Sequence, residues 1–228
     1  YAAGLDLDLE FQTTPGYKFE EWQVITKNVR DSIILARNSS WKYNDSGIFP
    51  GDSWKTNSYD DSFWQEGFGE LGYGDGGEST LLDFGTDTLN KHISYYFRQM
   101  IHIQNPENFG ELALDMLHDD GAVVYLNGVE VFRYNMPSGD VFPETLALTG
   151  VGGDDENRYF RHPIPQGSLV SGPNLIAVEL HQNQAASSDL GFDLELSGVV
   201  QDGLDTLFYE DSRLTLKLSA KTSIKAIT

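Results

Sequence analysis

The residue pair Asp119-Asp120 sets two adjacent carboxylates in the segment His118-Asp119-Asp120-Gly121, where the chain must reverse between two apolar runs. Paired carboxylates in a turn can chelate Ca²⁺, a hard cation that takes oxygen ligands, and the metal can then bridge to vicinal sugar hydroxyls. The same residues also suit a turn in which Asp caps backbone amides and Gly121 supplies a positive φ. A second oxygen-rich loop, Gly72-Tyr73-Gly74-Asp75-Gly76-Gly77-Glu78, offers Asp75 and Glu78 on a flexible backbone. No helix start and no Lys follow those glycines, so the loop is not a nucleotide cradle. His181 ends an apolar run and precedes Asp189 by a short loop; a His–Asp hydrogen bond locking that loop is expected. Trp54 and Tyr73, in polar, glycine-containing segments, are the rings expected to be exposed and able to stack on a pyranose. Trp41 and Trp64 are assigned to packing.

Catalytic constellations are missing by type. The chain has no Cys, no Gly-x-Ser-x-Gly elbow and no His-Glu-x-x-His. A zinc centre would need three or four converging ligands, and no local His spacing supplies them. With 35 Asp and Glu in 228 residues, chance carboxylate pairs are inevitable and carry no information about glycoside hydrolysis. The expectation is a non-catalytic module.

The elements that must position these residues are strands. Leu114–Arg133 contains an apolar run, the acidic reversal, Ala122–Leu126, then Asn127-Gly128 and Val129–Tyr134. Asn-Gly between such runs is a strong hairpin signal, because both central residues need φ > 0. Further strands are expected over Gln23–Ile25, Ser32–Ala36, Ser94–Ile103, Glu111–Leu117, Asn157–His162, Asn174–Gln182 and Asp189–Leu196, separated by Gly, Pro and Asn turns. Short helices are hinted at Asp60–Gln65 and Pro15–Glu21. Many short strands with frequent turns and 23 glycines indicate an all-β antiparallel sandwich. At the ends, Leu5, Leu7, Leu9 and Phe11 alternate with acids, and Leu214, Leu216 and Leu218 alternate with Thr215, Lys217 and Ser219. These terminal strands are expected to pair, acid against base.

The net charge of −20 excludes nucleic acid as a partner and disfavours an anionic membrane surface. No apolar run approaches the ~20 residues of a membrane span. The chain opens at Tyr1 with no secretory leader, and a mature or excised piece of a larger protein is expected.

Several segments together carry a resemblance. In order they are Ser40-Trp41-Lys42-Tyr43, Tyr59-Asp60-Asp61-Ser62-Phe63-Trp64, Leu71-Gly72-Tyr73-Gly74-Asp75-Gly76, Tyr95-Tyr96-Phe97-Arg98, Asp119–Gly128, Asn135–Gly139, Asn174–Gln182 and Ser187–Leu196. They resemble a galactose-binding-like jelly-roll module of large secreted bacterial proteins, and more distantly the sandwich domains appended to β-galactosidases. The Asp-Asp-Gly-strand pattern also resembles the calcium-dependent sugar-binding domain of yeast adhesins. The likeness covers residues 34–198, leaving 1–33 and 199–228 as strand extensions. It implies an extracellular or cell-surface location, a polysaccharide ligand and neighbouring domains in a larger protein. It also implies a Ca²⁺ ion to which Asp193, with Glu195 beside it on the last strand, would contribute. The alternative it leaves open is a structural or protein-interaction sandwich beside a hydrolase or phosphoesterase domain.

Overall fold

The computed structural model describes residues 6–12, 15, 16, 18–210, 212–217 and 222–228. Leu5 and Leu218 of the expected terminal strands lie outside the described residues. The protein is all-β, and among the described residues its regular elements are fifteen strands with three short 3₁₀ turns. The strands are β1 (Asp6–Glu10), β2 (Glu21–Leu35), β3 (Ser40–Asn44), β4 (Gln65–Phe68), β5 (Leu71–Tyr73), β6 (Thr80–Leu81), β7 (Ser94–Ile103) and β8 (Phe109–His118). They continue with β9 (Gly121–Leu126), β10 (Val129–Tyr134), β11 (Phe160–Ile164), β12 (Gly172–His181), β13 (Leu190–Tyr209), β14 (Arg213–Lys217) and β15 (Thr222–Ile227). Among the described residues no helix is long and apolar enough to cross a membrane. The helix hinted at Asp60–Gln65 does not form, the segment being a turn entering β4; of the one hinted at Pro15–Glu21, Tyr17 lies outside the described residues and no described residue is helical.

The chain divides into two compact units, 1–30 with 200–228, and 31–199. In the smaller unit β1 pairs with β14 antiparallel, Asp8 opposite Thr215 and Glu10 opposite Arg213. This is the acid-to-base pairing that the alternating termini foreshadow. Arg213 donates to Glu10 at 2.8 Å and the Thr215 hydroxyl to Asp8 at 2.6 Å. Both ends of the ion pair are exposed, so it fixes register more than it adds stability. Trp22, Val24 and Leu214 form that unit's own small core.

In the larger unit, one sheet of six strands runs β10-β9-β12-β7-β3-β4. The second sheet contributes β11, β8 and β13, with β5 also pairing β13. Among the described residues every ladder of this unit whose register is defined is antiparallel, except the short parallel β5–β6 pair. Period-two alternation points Ile176, Val178 and Leu180 of β12 and Val124 and Leu126 of β9 inward, where they meet Leu112, Leu114 and Met116 of β8. Leu190, Phe192, Leu194 and Leu196 of β13 complete this core, with Phe192 stacked on Phe97 at 4.2 Å between ring centres. The result is an antiparallel β-sandwich.

The β9–β10 hairpin turns at Asn127 (φ 52°) and Gly128 (φ 85°). Asn127 also braces the next strand: its Oδ1 accepts from the Leu175 amide at 3.0 Å, and its Nδ2 donates to Asn174 at 2.9 Å.

The outward face of the six-stranded sheet is covered as well. Tyr96, Val123, Tyr125, Leu175 and Ala177 pack under Trp54, Trp64, Met136, Val141 and Ala147, which come from two loop segments that roof the sheet. Arg98 ties the first roof segment down. It donates to the Trp54 and Thr56 carbonyls and to Asp61 Oδ2 at 2.8 Å. Trp54 is therefore 2% exposed, against three aromatic neighbours (Trp64, Tyr96 and Tyr125). The expectation of an exposed stacking ring fails there, because the polar segment around it is a lid and not a free loop.

Candidate functional site: an acidic cluster in the sandwich loops

Asp75, Glu156 and Asp189 converge, each placing a carboxylate oxygen within 4.8 Å of the others. Among the described residues this is the one group of three metal-ligating side chains so placed. The approach depends on Gly74. Its φ is 109°, and a Cβ there would lie 2.7 Å from the Ser188 carbonyl and 2.8 Å from Asp189. Only glycine lets the loop after β5 close on the loop before β13. Glu78 does not join the group; it turns back and accepts from the Asp75 amide at 2.9 Å. It holds the loop that presents Asp75.

Asp119 and Asp120, expected at the surface of a reversal, are both 1% exposed. The correction has a physical cause: the β8–β9 connection is tucked under the loops around Val151 and Asn183. Asp120 accepts from the Val151 amide at 2.6 Å and the Asn183 amide at 2.7 Å. Its oxygens clamp two loops, as a capping aspartate does. Asp119 differs. Neither of its oxygens has a hydrogen-bond partner. Burial, with the charges of Asp120, Asp189 and Glu156, pushes its carboxyl well above the usual carboxylate range. Beside it, Gln182 donates from Nε2 to the Tyr73 hydroxyl at 3.0 Å and the Asp189 carbonyl at 2.7 Å, leaving its buried Oε1 without a partner. Asp75, itself exposed, is also raised, first by desolvation and then by Asp189, Glu156 and Glu78.

This donor set fits a divalent cation. It consists of oxygens only and carries excess negative charge, and the unpartnered buried oxygens of Asp119 and Gln182 lie outside it. Asp75, Glu156 and Asp189 are the residues that could hold Ca²⁺; Asp119 feels the charges of Glu156 and Asp189 from outside that group.

Three other expectations change. Tyr73 is buried, its ring beside Phe84 and under the Lys91 ammonium at 4.8 Å, so it offers no stacking face. His181 does not meet Asp189. Strand alternation puts it on the outward face of β12, where Nδ1 donates to the Thr145 carbonyl at 2.8 Å. Asp193, which the resemblance implies as a calcium ligand, is not part of the acidic group. It is fully buried, accepting from the Asn38 amide at 2.9 Å and the Tyr159 hydroxyl at 2.6 Å. Arg37 lies over the Tyr159 ring and close to Glu195 at 3.6 Å, sealing that side. Asp193 is a lock between segments and is separate from the Asp75 group. Glu156 escaped sequence reasoning: Gly152-Gly153-Asp154-Asp155-Glu156 reads as a turn, and nothing local says it folds toward Asp189.

No protein-family model matches the chain, and no curated protein sequence is similar to it. Solved structures with a similar fold exist. A β-glycosidase from Bacteroides vulgatus is 16% identical, with TM-score 0.45, the match covering 72% of this chain and 20% of that one. A β-glucuronidase from Ruminococcus gnavus, solved with D-glucuronic acid, is 10% identical with TM-score 0.47, over 75% of this chain and 29% of that one. A calcium-binding mutant of Bacteroides uniformis β-glucuronidase 2 is 14% identical with TM-score 0.47, over 88% and 28% respectively. This chain thus corresponds to less than a third of the length of each.

Proposed function

We propose that the chain is a non-catalytic, calcium-assisted carbohydrate-binding module of a larger extracellular protein, tethering that protein to polysaccharide. The observation that carries the reading is the convergence of Asp75, Glu156 and Asp189 beside Asp119, a buried carboxylate with no donor. Ca²⁺ takes six to eight oxygens, more than these side chains supply, and Asp75 faces solvent. The open positions suit water or a pair of sugar hydroxyls. The absence of a thiol, a serine elbow or a zinc motif supports a binding role over turnover.

The structural alternative, a sandwich that spaces neighbouring domains, is favoured by the burial of Tyr73, which leaves the acidic loops without the expected ring. Screening the protein on a glycan array, in calcium and in EDTA, separates the two. Calcium-dependent glycan binding is the expected result. Glycan silence with a calcium-dependent rise in melting temperature would establish the structural role instead, since a ligand of the native state raises its stability.

A further inference from the structure

The two roof segments leave part of the outward sheet face open. Between residues 49–55 and 139–143 lies a groove of about 500 Å³, floored by Tyr125 of β9 and Glu179 of β12. Small-ligand sites typically enclose roughly 300–1,000 Å³. Sheet geometry explains the floor: Glu179 follows Leu175 and Ala177 on the outward side of β12, opposite Val123 of β9. It is 5% exposed. Its Oε1 accepts from the Tyr125 hydroxyl at 2.6 Å, and its Oε2 lies 3.4 Å from His181 Nε2. A carboxylate accepts up to about four hydrogen bonds, so acceptor capacity remains toward the groove. A buried charge lowers stability unless it is well partnered, and here it forms the floor of an open site.

The walls supply the complementary chemistry. Phe49, 41% exposed, stands on one roof segment, and Phe142, 62% exposed, on the other. Asp52, Glu130, Asp140 and Glu179 outnumber Lys55 and Arg133 in the lining. Arg133 is already engaged by both oxygens of Glu130, and the Lys55 ammonium lies 4.5 Å over the Tyr125 ring. That balance rejects an anionic ligand. Exposed ring faces beside a buried acceptor suit a neutral sugar, whose C–H faces pack on the rings while its hydroxyls donate to the carboxylate.

We infer that this groove is a second subsite for a neutral oligosaccharide, one that works without a cation. It rests on the reading of the chain as a carbohydrate-binding module, but none of its residues belongs to the acidic cluster. Neutral hexasaccharides (cello-, xylo-, manno- and laminari-) are titrated into the protein in EDTA. Binding is followed by calorimetry and by tryptophan fluorescence, because Trp54 lines the groove. A hexalysine peptide is run in parallel. At least one hexasaccharide binds, and Phe142→Ala weakens it tenfold or more with an unchanged circular dichroism spectrum. Glu179→Gln, which keeps the shape of the floor, also weakens binding. Silence of all four sugars in EDTA, hexalysine binding in their place, or full affinity in Phe142→Ala overturns the proposal. Binding that appears only with calcium and is lost in Glu156→Gln overturns the groove while leaving the acidic cluster's role intact.

Discussion

Replacing Asp119 with Asn should stabilise the cation-free protein and at the same time blunt its response to calcium. The wild-type carboxyl is buried, lacks a donor and faces the charges of Asp120, Asp189 and Glu156. Its native pKa is raised, so the folded protein holds a proton that the unfolded chain, ionising near 3.8, releases. The stability linked to that proton is fully present below pH 3.8 and is lost as pH rises toward the native value. At pH 7 the ceiling on the loss is about 4 kcal/mol. Local relaxation lowers the effective cost of such a group to about 1–3 kcal/mol. Asn keeps the shape, carries no charge and can donate to the neighbouring carboxylates. For a chain of this length about 1–3 kcal/mol corresponds to about 2–12 °C in melting temperature. Calcium at a hundredfold excess over its dissociation constant would add about 2.7 kcal/mol to the wild type and much less to the variant, so the order of stabilities should narrow or cross. Thermal melts of both proteins at pH 7, in EDTA and in calcium, read this directly. A variant less stable than wild type in EDTA, with an undiminished calcium response, would refute the reasoning.

Other outcomes follow from the same geometry. His118 is buried between Tyr134 and Phe160, and burial pushes its pKa down to about 4. Its contribution is present above 6.5, the unfolded value, and is lost as pH falls toward 4, up to about 3 kcal/mol; His118→Phe should flatten that part of the urea-stability profile, and an unchanged slope would contradict it. Trp54→Ala should cost about 3–5 kcal/mol in urea unfolding, whereas a solvent-facing ring would change stability by little. Asp61→Asn removes the carboxylate paired with Arg98, which is 2% exposed, and should lower stability by about 3–5 kcal/mol; a midpoint within error of wild type would show that the roof does not depend on that ion pair.

The strands with unambiguous alternation or a strong turn signal were legible in the sequence. β7 and β10 begin and end where the pattern places them, and Asn127-Gly128 makes the expected reversal. The short strands β3 to β6 were not: Ser40–Asn44 does alternate, with Trp41 and Tyr43 buried between polar residues, but over only five residues, and Gln65–Phe68 has no such period. The roof was half-legible. Ala122–Leu126 is apolar at every position, the mark of a strand covered on both faces, yet nothing local says that the polar stretch around Trp54 supplies the cover. The acidic cluster was legible residue by residue and not as a group. Asp75 and Asp189 stand out as loop acids, but Glu156 joins them only through tertiary folding. The difference between Asp119 and Asp120 depends on which amides the neighbouring loops present.

Isothermal titration of calcium into the EDTA-stripped protein at pH 7, repeated in two buffers of different ionisation enthalpy, addresses the central claim most directly. Saturable binding of one ion, lost in Asp189→Asn, with release of a proton as the cation's charge lowers the raised carboxyl of the nearby Asp119, is the predicted result. No heat at millimolar calcium, or binding that Asp189→Asn leaves intact, would contradict the account.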